Sequence, residues 1–229
     1  MSHVSDTMRN GAAFYGRAAQ SDGGELGYPM PKMAVYEFGA VAALTTTGVC
    51  VTATGIVGGG VLSATGSLVS GGVATFDVSR AVAITSTGNN SGFSFTVNGT
   101  DQYGATQTET ITGPNNNTVT GIKAFKTVTS VLSATTLVGT ISVGTSDTLG
   151  LPYHLLNKGK LVQPVHQDGV SISTTTVVGF SVTGTSTATT ADVRGTVALG
   201  TAADGAKLTT VCMIVNPSTK ETLYGVAPA

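Results

Sequence analysis

From Phe93 to Val97, and again from Thr106 to Thr112, side-chain character alternates residue by residue, Phe-Ser-Phe-Thr-Val and then Thr-Gln-Thr-Glu-Thr-Ile-Thr. A period of two sorts side chains onto opposite faces of an extended backbone, which a helix of 3.6 residues per turn cannot do. The first stretch has one apolar face and is expected to pack on a core. The second has almost no hydrophobes and reads as an edge strand, or as one with a face in water. Composition carries the same argument along the chain: threonine is the commonest residue, 39 of 229, followed by 31 glycines. Threonine is β-branched and fits a pleated, half-exposed strand, while glycine supplies turns between strands.

The punctuation of the chain agrees with an all-β reading. Asn98-Gly99 is expected to be a turn after the Phe93–Val97 strand, and residues 113–117, Gly-Pro-Asn-Asn-Asn, form a long turn before a strand from Val119 to Val131. The glycines of Val57–Val61 and Ser70–Gly72 divide the first half into pieces of about 8 to 12 residues, the spacing of a sandwich or barrel. Pro152, in Leu149–His154, removes a ladder donor and marks a join. Beyond it, Val170–Val182, Thr190–Leu199 and Leu208–Val215 read as strands, with Asp204-Gly205 as a hairpin turn. The expected fold is therefore all-β, a β-sandwich or jelly-roll-like arrangement. Residues 1–34 would be an extended N-terminal arm, with a short helix in Met8–Ala19 as the alternative. Residues 35–150 would be a β-sandwich domain, and residues 151–229 a C-terminal β region that is either a second small domain or the completion of the first.

Aromatic residues make up 6% of the chain and tryptophan is absent, so Val, Ala, Leu and Ile must fill most of the core, and part of the stability is expected to come from association. Eleven basic and twelve acidic residues are scattered singly, for a net charge of -1. That pattern gives no basic stripe for nucleic acid and no patch for anionic lipid, and it protects poorly against self-association. Met1–Gln20 has no apolar run of the kind an export signal needs, and no stretch is long and apolar enough to span a bilayer, so synthesis in a cytoplasm is expected. Cys50 and Cys212 sit in apolar, strand-like contexts and are expected to be free, buried thiols.

Motifs for catalysis are weak. His154 and His166 lack both the spacing and the neighbouring ligands of a zinc site, and a loop histidine touching a partner accounts for them better. No serine stands in a Gly-x-Ser-x-Gly elbow, and the glycines of Val57–Gly60 lack the Lys-Ser/Thr of a phosphate loop. Asp101 with Glu109, or Asp147 with Asp168, could be posed as carboxylate pairs for glycoside hydrolysis. The scarcity of aromatics that sugar clefts use argues against this, and Asp101 is better explained as the cap of a turn. No enzyme activity, cofactor or metal is expected.

Residues 95–104, Phe-Thr-Val-Asn-Gly-Thr-Asp-Gln-Tyr-Gly, with Thr108–Thr112, Lys123–Val128 and Val143–Pro152, resemble a stretch that recurs in virion proteins of tailed bacteriophages. The resemblance spans roughly residues 93–153, about a quarter of the chain. It implies a structural protein of the virion, most plausibly a cement (decoration) protein on the capsid exterior, bound to the major capsid protein and often trimeric. A head fibre, neck or tail component is the alternative within the same class. From a different class, a carbohydrate-binding or depolymerising receptor protein would need an aromatic platform, which only Tyr15, Tyr28, Tyr36, Tyr103, Tyr153 and Tyr224 could provide. For partner contacts the sequence nominates Phe14, Tyr15, Tyr28 and Met30 in the arm, and Tyr153 with His154 at the proline corner.

Overall fold

The computed structural model describes residues 32–54, 57–153, 161–172, 174–178 and 194–215. Among them there is no helix; the chain is all-β, as expected, and built from large antiparallel sheets. Jelly-roll winding is a finer statement that the strand order does not carry.

The larger sheet has ten strands. Its centre is β5 (Val73–Ser86), β8 (Thr118–Ser133) and β9 (Ile141–Gly150), with β5 between the other two. Beyond β8 lie β6 (Ser94–Thr100) and, at the edge, β7 (Thr106–Thr112); beyond β9 lie β13 (Thr196–Leu199) and β12 (Thr174–Val178). Three short strands, β2 (Cys50–Ala53), β3 (Gly60–Val61) and β4 (Val69–Ser70), pair with β9, β8 and β5 respectively. The smaller sheet runs β1 (Lys32–Ala40), β14 (Leu208–Val215), β10 (Leu161–Gln167), β11 (Val170–Ile172).

Two apolar clusters fill the interior. One packs Phe76, Phe95 and Phe125 against Val82, Ile84, Ile141 and Val143 within the large sheet and the chain that folds over it. Burying a phenylalanine contributes roughly 1.5–3 kcal/mol, so three of the seven in one cluster offset much of the aromatic scarcity. The second cluster joins Leu149, Val197 and Leu199 of the large sheet to Val165, Val211 and Met213 of the small one. Strands after residue 150 thus enter both sheets, and β1 pairs with β14 along its whole length.

Several local expectations need correction. Asn98-Gly99 is not a turn: both residues lie inside β6, where β8 carries a bulge opposite them. A Cβ at Gly99 would stand 1.9 Å from the Thr127 carbonyl oxygen, so glycine is needed there for close approach. Asp204-Gly205 does turn the chain, with Asp204 Oδ1 accepting the amides of Ala206 and Lys207, but it joins strands of different sheets and makes no hairpin. Asp168-Gly169, both at positive φ, is instead the turn of a two-residue hairpin between β10 and β11. Val170–Val182 is not one strand, because β11 and β12 lie in different sheets; a continuous run of β-branched and hydroxyl residues gives no sign of the crossing. Strands of 14 and 16 residues, β5 and β8, also exceed the spacing that the glycines suggested.

β7 is an edge strand, as its pattern implied, yet its inner face is not wet. Gln107 and Glu109 are buried. The pairing of β5 with β8 shifts between Ala83↔Thr120 and Ala81↔Ala124, leaving extra residues on β8. Glu109 Oε1 accepts the amides of Ile122 and Lys123 in that bulge, and Gln107 donates to the Ala124 carbonyl. The alternation in β7 is therefore threonine outward and bulge-binding polar groups inward.

Candidate functional site

Where β1 faces β5 and β8, the side chains leave a cleft of about 350 Å³. From β1 come Tyr36 and Phe38, neighbours on one face at i and i+2, with ring centroids 5.0 Å apart and planes at 83°. The edge-to-face geometry sets the positive rim of one ring against the negative face of the other. From β5 come Asp77, Val78 and Ser79, and from β8 Lys126. The remaining wall is Gln102 and Tyr103, in the loop of the β6–β7 hairpin.

That loop is held by Asp101. Its Oδ1 accepts the amides of Tyr103 (2.8 Å) and Ala105 (2.9 Å), the turn-capping role expected of it. Its Oδ2 accepts Arg194 Nη1 at 2.7 Å, with both side chains buried. The same guanidinium stands 5.3 Å from the Tyr103 ring centroid, a cation–π contact. Tyr103 in turn donates its hydroxyl to the Pro152 carbonyl (2.8 Å), tying the loop to the end of β9. Burial pushes the Tyr103 phenol up from its ordinary range, with Tyr36 and Tyr153 near enough to add to the effect. The Gln102 side chain and Arg194 oppose it.

Beneath the β5 wall lies a second buried cation. Arg80 donates Nε to the Ser146 carbonyl (2.9 Å), Nη1 to the Ala42 carbonyl (3.0 Å) and Asp77 Oδ1 (3.1 Å), and Nη2 to Asp147 Oδ1 (3.1 Å). Asp77 Oδ2 also accepts the Ala42 amide at 2.7 Å. Burial pushes the Asp147 carboxyl up, and Arg80 beside it pulls the other way. Lys126 Nζ donates to the Phe76 and Asp77 carbonyls, each at 2.8 Å. Every charged wall of the cleft is thus fixed by hydrogen bonds before any ligand arrives.

Two polar atoms break this pattern. Ser79 Oγ and Gln102 Nε2, both on cleft-lining residues, are buried and have no hydrogen-bond partner among the described residues.

The nominated residues fare unevenly. Tyr153 is half-buried against the second apolar cluster, close to Tyr103. Phe14, Tyr15, Tyr28, Met30 and His154 lie outside the described residues, as does the Met8–Ala19 alternative. The posed carboxylate pairs do not form: Asp101 binds Arg194, Glu109 the β8 bulge, Asp147 Arg80, and Asp168 Oδ1 the Leu208 amide. No group of three or more His, Cys, Asp or Glu able to hold a metal occurs among the described residues. Cys50 and Cys212 are free and lie in different sheets, the first buried and the second half-buried. Tyr36 and Tyr103 were visible in the sequence as candidate platform residues. Phe38, Asp77, Ser79 and Lys126 were not, because their spacing shows no motif until β1 is laid beside β5. Comparison with protein-family models, with curated proteins and with solved structures finds no match.

Proposed function

We propose that this chain is a non-enzymatic structural protein of a phage virion, a cement protein that clamps major capsid protein subunits from the capsid exterior as a homotrimer, after synthesis in the host cytoplasm. The resemblance over residues 93–153 motivates the class. The observation that carries the clamp is β1: among the described residues it pairs on one side only, and Met33 and Val35 point outward at 69% and 59% exposure. An open edge with apolar side chains is a template for strand addition, in which backbone hydrogen bonds supply affinity without charge. β1 begins at Lys32, so the last residues of the nominated arm, 1–34, already belong to that strand. Half-buried Cys212 and Ile214, paired with Val35 and Met33 on the same face, widen the apolar surface. Three linked copies engaging at once raise avidity beyond any single contact.

The test uses shells lacking the protein. Full-length chain should sediment with them at both low and near-molar salt, because few charges are available for screening. Val35→Lys should abolish co-sedimentation while leaving the circular dichroism unchanged, since an edge lysine is the usual guard against strand addition. Retained binding by Val35→Lys, or a monodisperse monomer by light scattering, refutes the clamp. Binding to purified tails and not to shells would reassign the protein to the tail.

A further inference from the structure

We infer that β1 and the cleft beside it form one site for an extended peptide segment, which pairs with the open edge of β1 and seats one large apolar side chain, such as phenylalanine, in the cleft. The inference rests on the strand-addition reading of β1 and adds what the added strand carries. From Lys32 to Glu37 the pairing of β1 with β14 runs without a shift, and a bulge before Gly39 ends that register. Alternate residues of this stretch turn N–H and C=O away from β14, and among the described residues no backbone bond meets them. A strand added there carries its side chains alternately onto the outer face, beside Met33 and Val35, and onto the inner face, beside Tyr36.

The inner position opens on the cleft. None of the described residues of β14, β10 or β11 lines it, so it lies on the open side of β1, over β5, β8 and the β6–β7 loop. Its volume of about 350 Å³ has room for one large side chain, and a segment held along β1 delivers that side chain at a fixed point. Half-buried Tyr36, Phe38, Val78 and Tyr103 give it apolar walls, and an incoming ring extends the edge-to-face pair that Tyr36 and Phe38 already make. The charges of the cleft are already held, Lys126 by the Phe76 and Asp77 carbonyls and Asp77 by Arg80 and the Ala42 amide. A charged anchor would therefore lose water without gaining a partner, whereas an apolar one needs none. A lone segment fits better than the edge of another folded body, because β5, β8 and the loop already occupy the layer beneath the added strand, where such an edge would bring a covering layer of its own.

Capped peptides Gly-Ser-Val-X-Val-Ser-Gly, with the valines for the outer face and X for the cleft, are titrated into the full-length protein by calorimetry, X being Phe, Ala or Asp. The Phe peptide should bind with Kd on the order of 0.1 mM and the Ala peptide about tenfold more weakly, the effect of burying one aromatic side chain in part; the Asp peptide should be weaker still. Val35→Lys should abolish binding of all three. Val78→Phe, whose added ring takes up part of the cleft, should weaken the Phe peptide about tenfold at unchanged circular dichroism. The comparison across X needs no variant and decides the anchor by itself. Phe and Ala peptides of equal affinity, both lost in Val35→Lys, overturn the anchor and leave strand addition to β1 standing. No binding at ~5 mM peptide also overturns it, the clamp being judged separately by sedimentation with shells. Binding that survives Val35→Lys places the peptides elsewhere and overturns both.

Discussion

Replacing Arg80 with methionine keeps the length and apolar stem of the side chain and deletes its guanidinium. Arg80 is 1% exposed and donates to acceptors from three places: Asp77 on its own strand, the Ala42 carbonyl in the chain after β1, and Ser146 and Asp147 on β9. Asp77, at 31% side-chain exposure, is partly rehydrated when its partner goes, whereas Asp147, at 14%, is stranded. A buried acceptor left unpaired costs about 1–3 kcal/mol, and breaking one side of a buried ion pair about 3–5 kcal/mol. Because these losses overlap, Arg80→Met should cost about 4–5 kcal/mol, a large share of the roughly 5–15 kcal/mol that holds a domain together. Adding Asp147→Asn removes the stranded charge and should restore about 1–2 kcal/mol, so the double variant is more stable than the single one. Urea unfolding by circular dichroism at several protein concentrations measures both and separates folding from association. A loss below about 1 kcal/mol for the single variant at unchanged slope, or no recovery in the double variant, refutes the view that this fork clamps β5, β9 and the Ala42 segment together.

Other consequences follow from single contacts. At Gly144 a Cβ would stand 1.7 Å from the Thr45 carbonyl, which accepts the Thr145 amide at 2.7 Å; Gly144→Ala should push that segment off β9, cost about 3 kcal/mol or more, and raise amide exchange at Val49 and Thr145. The raised Asp147 carboxyl binds its proton more tightly folded than unfolded, so its contribution is fully present below the ordinary carboxylate pKa and is lost as pH rises through the raised one. Stability of the parent relative to Asp147→Asn should therefore fall as pH rises from below the ordinary carboxylate pKa through the raised one in urea titrations, and a rise would mean that Arg80 outweighs desolvation. Cys212 should react with a thiol reagent in the native protein. Cys50, buried and with its thiol pushed up by desolvation, should react only on unfolding; equal native rates would contradict its placement in the core.

How far the sequence reached depends on the range of the interaction. The period-two stretches at Phe93–Val97 and Thr106–Thr112 became β6 and β7, and Leu208–Val215 became β14, because alternation is a local property of the strand. Turn chemistry was read less well. Asn98-Gly99 has the composition of a hairpin turn, but the glycine answers to Thr127 of β8, a neighbour that the dipeptide does not reveal. At Asp168-Gly169, the two-residue hairpin between β10 and β11, the turn dipeptide is present, but the hydroxyl-rich run after it has the pattern of a single strand and hides the pairing. The cleft was legible only as two unassigned tyrosines, since Tyr36 and Tyr103 meet through pairing of β1 with β14, at the other end of the chain.

The charges show the same limit and point to what they do. Read along the chain, 10% charged residues are scattered singly and suggest only a surface poorly protected against self-association. In the fold, Arg80, Arg194 and Lys123 are among the largest fully buried side chains, and the carboxylates that meet the two arginines across the fold, Asp147 and Asp101, lie 67 and 93 residues away. A chain of threonine, valine, alanine and glycine has strands that differ little from one another, so a two-residue slip of one against the next keeps every face and loses little burial. Such a slip of β9 against β5 moves Asp147 and the Ser146 carbonyl by about 7 Å, out of reach of Arg80, and leaves a buried guanidinium short of acceptors. The hydrophobic pattern chooses which face is inside, and the buried cations penalise every register but one. That division of labour explains why a chain with so few charges buries several of them.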